Sequence, residues 1–343
     1  TKKIITASRA NVTIETHNNF NEVKIIAYDV YQFDEQEQSY FKNLHISNEM
    51  GSLLPDDIKF KKIDEMKLIR SDPMRFSPIS KLATQAYLQL IAELFANETA
   101  AQLAAGNEMQ LQSDKEMIQC TAAACKAKKD AEIELVGTVV VREYDAAKKS
   151  TQPSYVYRSS QAMLKVQNGP VGIFLEMVVA DTPEWTGADG TKGWSSQHII
   201  KNLTLPASIR QKLGPDILTT VATMPTLLKQ PSPDLMDLQA SLKHEIEDDM
   251  ADIDVEINSR LVFGIGCISL ILIGAGLGIM LKGSHVLTAF GTSSIPAAVL
   301  IVSIMMGKNI ANEFLTLGIL LMWGSLVILA LVTAVIYRKL LKA

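Results

Sequence analysis

The chain has 343 residues, a hydrophobic share of 48% and a formal net charge of −4. That balance excludes nucleic acid as a partner, because neutralising phosphates needs a basic field. The averages also hide the main feature, a polar front portion diluting a last quarter in which charge almost vanishes.

In chain order, residues 3–60 predict β structure. Strand-like stretches lie at 3–5, 11–15, 23–33 and 40–46, separated by His17-Asn18-Asn19 and other polar turns. Val23, Ile25, Tyr28, Val30 and Tyr31 suit strands with one face on a core. Residues 50–55 (MGSLLP) and 71–78 (SDPMRFSP) carry loop signals. The pattern changes over 80–132, which is rich in Ala, Leu, Gln, Glu and Lys, contains no Pro and has the single glycine Gly106. Leu82, Ala86, Leu90, Leu94 and Phe95 share one helical face, and Met109, Met117 and Ala124 extend it weakly. The expectation is one or two helices, broken near Gly106-Asn107 and inserted into a β domain. Cys120 and Cys125 would then point to different sides of a helix, which suits neither a zinc pair nor a disulfide.

Strand signals return at 137–144, 155–166, 171–180 and 193–203, and the turn Asn168-Gly169-Pro170 makes 162–180 a hairpin. Trp185 and Trp194 flank the loop TGADGTKG, read as a surface connection, with an aromatic-walled ligand site as the alternative. Strands before and after a helical insertion predict one extracytoplasmic β-sandwich or jelly-roll-like domain over residues 1–232.

Ser232-Pro233-Asp234 is a helix start, with Ser as cap and Pro at the first helical position. Leu235, Leu238, Leu242, Ile246, Met250, Ile253 and Ile257 follow at helical spacing. An amphipathic juxtamembrane helix over 233–260 therefore runs on without a breaker. Its other face carries Glu245, Glu247, Asp248, Asp249, Asp252, Asp254 and Glu256, read as solvated. Acids spread along a helix do not converge on a cation, so no metal site is expected.

The last part, 261–343, holds three apolar runs at 261–281, 286–306 and 314–337. A bilayer core takes roughly 20 apolar helical residues, so the expectation is a membrane protein of α+β class with three spans. Lys282, Arg338, Lys339 and Lys342 outweigh Arg260 and Lys308, which acidic neighbours dilute. This bias places the C-terminus in the cytoplasm and residues 1–260 outside it. No apolar signal segment opens the chain, so an export signal or earlier spans are expected upstream. Gly274 and Gly278, at GxxxG spacing, are candidates for close helix packing. Pro296 behind Ser293-Ser294 frees a carbonyl and permits a bend. No Walker A loop, HExxH or Gly-x-Ser-x-Gly is present, and His17, His45, His198, His244 and His285 are scattered. Neither an enzyme nor a bound cofactor is expected. The spans lack interior charges, so transport would draw its energy from a partner.

A β-rich front domain, a helix passing through EINSRL into a Gly-rich span, a second span after KGSH and a third ending YRKLLKA together resemble the back half of the LptF/LptG (YjgP/YjgQ-type) permeases. The resemblance covers about 234–343 by pattern and the front domain by position and class. It implies the permease subunit of an ABC-type exporter that moves lipopolysaccharide or a similar lipid from the inner membrane toward the outer membrane. It also implies that the three runs are spans four, five and six, with Phe290, Pro296, Leu300 and Ile304 lining the lipid cavity. Implied partners are a separate ABC ATPase subunit that hydrolyses the ATP, a second permease subunit, a periplasmic bridge protein and the lipid itself. The helical insertion at 80–132 departs from the family pattern. The rival reading is a membrane-anchored extracytoplasmic sensor or adaptor, for which a cytoplasmic output domain would be expected.

Overall fold

The computed structural model describes residues 4–16, 20–33, 38–51, 56–113, 116–145, 152–169, 172–181, 183–195, 197–280 and 286–341, for some of them the backbone alone. The chain divides into two compact units, residues 79–245 and residues 1–78 with 246–343.

The second unit opens on three long antiparallel strands, β1 (Ile4–Thr16), β2 (Phe20–Phe33) and β3 (Gln38–Gly51), which form a sheet of their own. Val12 pairs with Ile25, so β-branched residues meet across the β1–β2 ladder, and Ile25 is in register with Ile46 of β3. A short 3-10 helix at Ile58–Phe60 and the helix α1 (Ile63–Ser71) follow. Asp57 caps the 3-10 turn by accepting from the Lys59 amide, and α1 turns Met66 and Ile69 inward.

In the unit 79–245 the helix α2 (Ser77–Ala104) is the most buried helix and shares the core with the strands that follow it. Every residue from Gln89 to Ala96 is buried, as expected for a helix that is apolar nearly all round. Within this stretch Gln89 and Glu93, one turn apart, are the buried polar residues, and both are satisfied. Gln89 donates to the Lys128 carbonyl at 2.8 Å and accepts from the Ala131 amide at 2.9 Å. Glu93 accepts from the Ser232 amide at 3.0 Å and from its hydroxyl.

The predicted helical insertion is half right. The helix ends at Gly106, whose φ of +76° turns the chain while the Asn107 amide reaches back to the Gln102 carbonyl. Residues 109–127 are strands, not helix: β4 (Met109–Gln112), β5 (Glu116–Thr121) and β6 (Ala124–Ala127). The buried positions are Met109 and Leu111, then Ile118 and Cys120, a period of two that outweighs the weak helical spacing. Cys120 and Cys125 are accordingly buried strand residues opposite Val141 and Leu135, and burial pushes each thiol up to about 12.

The remaining strands are β7 (Glu132–Asp145), β8 (Tyr155–Gly169), β9 (Gly172–Val179), β10 (Glu184–Gly187), β11 (Lys192–Trp194) and β12 (His198–Thr204). The expected hairpin is present as β8 and β9, paired from Ala162↔Val179 to Gly169↔Gly172, while Pro170 lies outside the described residues. All nine strands of the unit form one antiparallel sheet, ordered β11-β10-β8-β9-β12-β4-β5-β7-β6 with a further β8–β7 pairing. That pairing closes β8, β9, β12, β4, β5 and β7 into a ring. The closure is uneven, since β12 meets β4 through the single pair Thr204↔Gln112. Where β7 bulges, Gly137 has φ +97° and lies so close to Ala123 that a side chain there would collide. The tryptophan-flanked loop is a tight hairpin between β10 and β11, and Asp189 accepts from the Thr191 amide and hydroxyl across it.

Three short helices, α3 (Ala207–Lys212), α4 (Ile217–Ala222) and α5 (Met224–Leu227), lead to α6 (Pro233–Met280). The Ser232 hydroxyl accepts from the Leu235 amide at 3.1 Å, the expected cap. The helix is unbroken for 48 residues. It is followed by α7 (Val286–Ala311) and α8 (Leu315–Leu340). All three are long and apolar enough to cross a membrane.

Candidate functional site: the apolar bundle and its charged rim

The second half of α6 packs with α7 and α8 around Val262, Ile273, Leu300, Ile304, Ala311, Met322, Leu326 and Leu329, all buried. Glycines set the closest approaches. A Cβ at Gly307 would lie 2.9 Å from the Gly318 carbonyl, and one at Gly318 would lie 2.7 Å from the Ala311 Cα, so α7 and α8 meet backbone to backbone. Gly266 receives the Leu300 side chain, and a Cβ at Gly276 would lie 2.8 Å from Ile336. Small residues admit such contacts, and close packing matters where no hydrophobic force draws apolar helices together in lipid.

The four residues expected to line a lipid cavity divide. Leu300 and Ile304 point into the bundle, Pro296 is half-buried, and the Phe290 side chain lies outside the described residues. Gly274 and Gly278 face open space, with nothing within 4 Å of an added Cβ, so the close packing within the chain is carried by the other glycines. The outward faces stay apolar and uncovered, including Ile268 and Ile271 on α6, Val299 and Met306 on α7, and Leu320 and Ile328 on α8. Exposed apolar surface on this scale calls for lipid or other helices.

Polar residues gather at one end, around a single stretch of α6. Glu256 accepts from Lys308 Nζ on α7 at 2.6 Å and from Arg260 Nε at 2.9 Å. The two terminal nitrogens of Arg260 donate to the Lys61 and Lys59 carbonyls at 2.7 and 2.8 Å. Trp323 on α8 donates through Nε1 to Asn258 Oδ1 at 3.0 Å, and Asn258 donates to the Asp254 carbonyl at 2.8 Å. Arg70 on α1 pairs with Asp254 at 2.6 Å. The acidic run is therefore not uniformly solvated, since Asp254 and Glu256 are used to hold cations and neighbouring elements. Arg260 and Lys308, read from sequence as flanking charges diluted by acidic neighbours, share one carboxylate. A cavity of about 250 Å³ opens beside them, lined by Ile58, Lys59, Asp252, Glu256, Lys308 and Asn312 among others. Chemically this rim locks three helices and a loop together by charge-assisted hydrogen bonds, the strong kind. Among the described residues no group of three or more His, Cys, Asp or Glu side chains is placed to hold a metal ion.

Sequence reading missed a second polar cluster, in the ring of strands. His198 Nε2 lies 2.6 Å from the buried Glu143 Oε1, and the imidazole stacks on Tyr157 with ring centroids 4.0 Å apart. Burial, with the Glu143 charge beside it, pushes the Tyr157 phenol up. The only sequence signal was alternation that puts Tyr155 and Tyr157 on one face of β8.

The family model for the lipopolysaccharide export system permease LptF/LptG matches residues 1–339. The chain belongs to the LptF/LptG family. The match takes in the strands of the front portion as well as the three apolar helices, a wider span than the helix pattern alone had carried. Members are inner-membrane permease subunits for lipopolysaccharide export that work with an ATPase and a partner permease. No curated protein and no solved structure matches this LptF/LptG chain.

Proposed function

We propose that this LptF/LptG chain is the transmembrane permease subunit of an ABC-type exporter that moves lipopolysaccharide, or an amphiphile of like build, from the inner toward the outer membrane. The supporting observation is one family match that runs through both the sheet-bearing portion and the three apolar helices. In this reading residues 1–260 lie outside the cytoplasm and the C-terminus inside. ATP is hydrolysed on a separate subunit, a second permease subunit completes the cavity, and a periplasmic bridge protein takes the lipid onward. The nine-stranded sheet is the counterpart of the family's jelly roll and receives the lipid.

Phe290, Pro296, Leu300 and Ile304 then line the lipid path in an opened state. Leu300 and Ile304 face α6 and α8 in the closed bundle, so acyl chains reach them when α7 swings aside. Pro296 lacks an amide and breaks the hydrogen-bond ladder of α7, which localises such a movement. The test is a photoreactive side chain at Leu300, and separately at Val299 on the outward face, in the full exporter reconstituted with lipopolysaccharide. Crosslinking to lipopolysaccharide at Leu300 that rises when ATP turns over supports the path. Crosslinking at Val299 alone, unchanged by ATP, sinks it.

A further inference from the structure

Phe60 is 69% exposed at the end of the 3-10 turn Ile58–Phe60, while Ile58 at the other end is buried. Single exposed apolar side chains are ordinary on protein surfaces, so exposure alone decides nothing. Position does. The carbonyls on either side of Phe60, those of Lys59 and Lys61, both accept from Arg260. Arg260 is the last charged residue of α6 before the apolar stretch that opens at Leu261. The backbone around Phe60 is thus tied to the level at which α6 turns apolar. On α6 itself Leu261 and Phe263 are 45% and 50% exposed at that level.

The chain then leaves this level in a fixed direction. Arg70, at the end of α1, pairs with Asp254. Asp254 precedes Arg260 by about 9 Å at 1.5 Å rise per residue. Leu68, the other large exposed apolar residue of this segment, therefore stands farther from the boundary than Phe60. Lys59, whose side chain is largely exposed, projects beside Phe60, with a long 3.9 Å contact to Asp57 and the Asp252 charge within electrostatic reach. An aromatic ring with an ammonium next to it, at the edge of an apolar belt, matches the chemistry of the bilayer interface. Rings settle at the glycerol level and Lys reaches to phosphate.

We infer that the Lys59-Phe60 turn is a lipid-contacting anchor, with the phenyl ring inserted into the head-group boundary of the leaflet on the Arg260 side and the Lys59 ammonium at its phosphates. The inference rests on the three helices spanning a membrane. It adds a peripheral contact, made by a 3-10 turn outside the three spans, that fixes the depth of the bundle.

The test uses the full chain in vesicles of three parts phosphatidylethanolamine to one part phosphatidylglycerol. Nitroxide labels are placed through Leu261→Cys, Phe60→Cys, Leu68→Cys and Arg75→Cys in a background carrying Cys120→Ala, Cys125→Ala and Cys267→Ala. Collision with oxygen and with a water-soluble nickel chelate reports depth. The expected order, deepest first, is Leu261, Phe60, Leu68, Arg75. A Phe60 label as open to nickel as Arg75, beside a lipid-buried Leu261, overturns the anchor and leaves the spans standing. A Phe60 label shielded from both collision partners also overturns it, because protein then covers the ring. A nickel-accessible Leu261 removes the membrane reading and the anchor with it. Phe60→Trp in the unmodified background gives the same answer should the cysteine-free chain not fold: bromine on the upper acyl carbons quenches emission beyond the wild-type level if the anchor is right, and leaves the difference at zero if it is wrong.

Discussion

The ring of strands and the three-helix bundle solve opposite problems. In the ring, Ile118, Leu135, Leu164, Leu175 and Leu203 are buried around a helix that is itself apolar on nearly every side, and the strands turn polar residues outward. In the bundle a narrow seam is buried and the outer faces remain apolar, with the hydrogen-bonded charge cluster around Glu256 at one end. The ring satisfies itself in water. The bundle is complete only with something apolar around it, and it relies on backbone contact at glycine where the ring relies on side-chain volume.

The largest expected break falls in the ring. Phe95→Ala removes a fully buried ring from α2 and should cost about 3–5 kcal/mol, read as a fall in the denaturant midpoint of the β signal while the helical signal of the bundle persists. Next is the glycine contact. Gly318→Leu forces α7 and α8 apart and should cost at least about 1–3 kcal/mol, whereas Gly274→Leu, which meets nothing in the chain, should leave bundle stability within about 0.5 kcal/mol. Steric-trap or detergent-denaturation measurements on both variants check the pair. If Gly274→Leu proves the more damaging, then packing outside this chain dominates.

A smaller effect is expected at the rim. Glu256→Gln leaves Lys308 and Arg260 sharing a neutral acceptor in a half-buried site and should cost about 1–3 kcal/mol. Lys308→Met made in the Glu256→Gln background should recover part of that loss, and a double-mutant cycle showing no coupling would mean that solvent screens the pair. The smallest effect is a pH dependence in the ring. Burial raises the Glu98 carboxyl, but hydrogen bonds from Ser208 and Lys212 and the Lys212 charge outweigh it and hold the group below its usual value. A carboxyl lowered by folding contributes stability that is present above its unfolded value and lost as pH falls through the folded one. Glu98→Gln should flatten the acid limb of the stability curve below about pH 4.5 and leave neutral pH nearly unchanged.

The bundle was the more legible half. Unbroken apolar length needs no partner to be recognised, and the Ser232 cap with its Pro233 start fixed where α6 begins. What the sequence hid was pairwise. Gly274 and Gly278 carry the familiar spacing, yet whether a glycine packs depends on which way the helix faces, and Gly307 and Gly318 sit on two different helices. The role of Glu256 was hidden likewise, because its partner Lys308 is 52 residues away. In the ring, strands 109–127 were misread since Ala-, Gln- and Lys-rich composition mimics a helix, and only the tertiary pairing with β7 decides for alternation. His198 was read as one of five scattered histidines, and its pairing with Glu143 was hidden because a closed arrangement of strands brings together residues that no local period relates.

The single residue pair between β12 and β4 gives that ring a direction of failure. Every other junction around the perimeter is a ladder, whereas this one holds by one pair and the 2.7 Å bond from the Thr204 hydroxyl to the Gln112 carbonyl. Amide exchange should be fastest along it, at residues 109–112 and 198–204. Parting there costs little enthalpy and adds two raw strand margins to the short ones that β6 and β11 already present. A ring fastened this way is topologically a sheet with a clasp, and its two margins are where an unfolding intermediate of this protein would first stick to another copy.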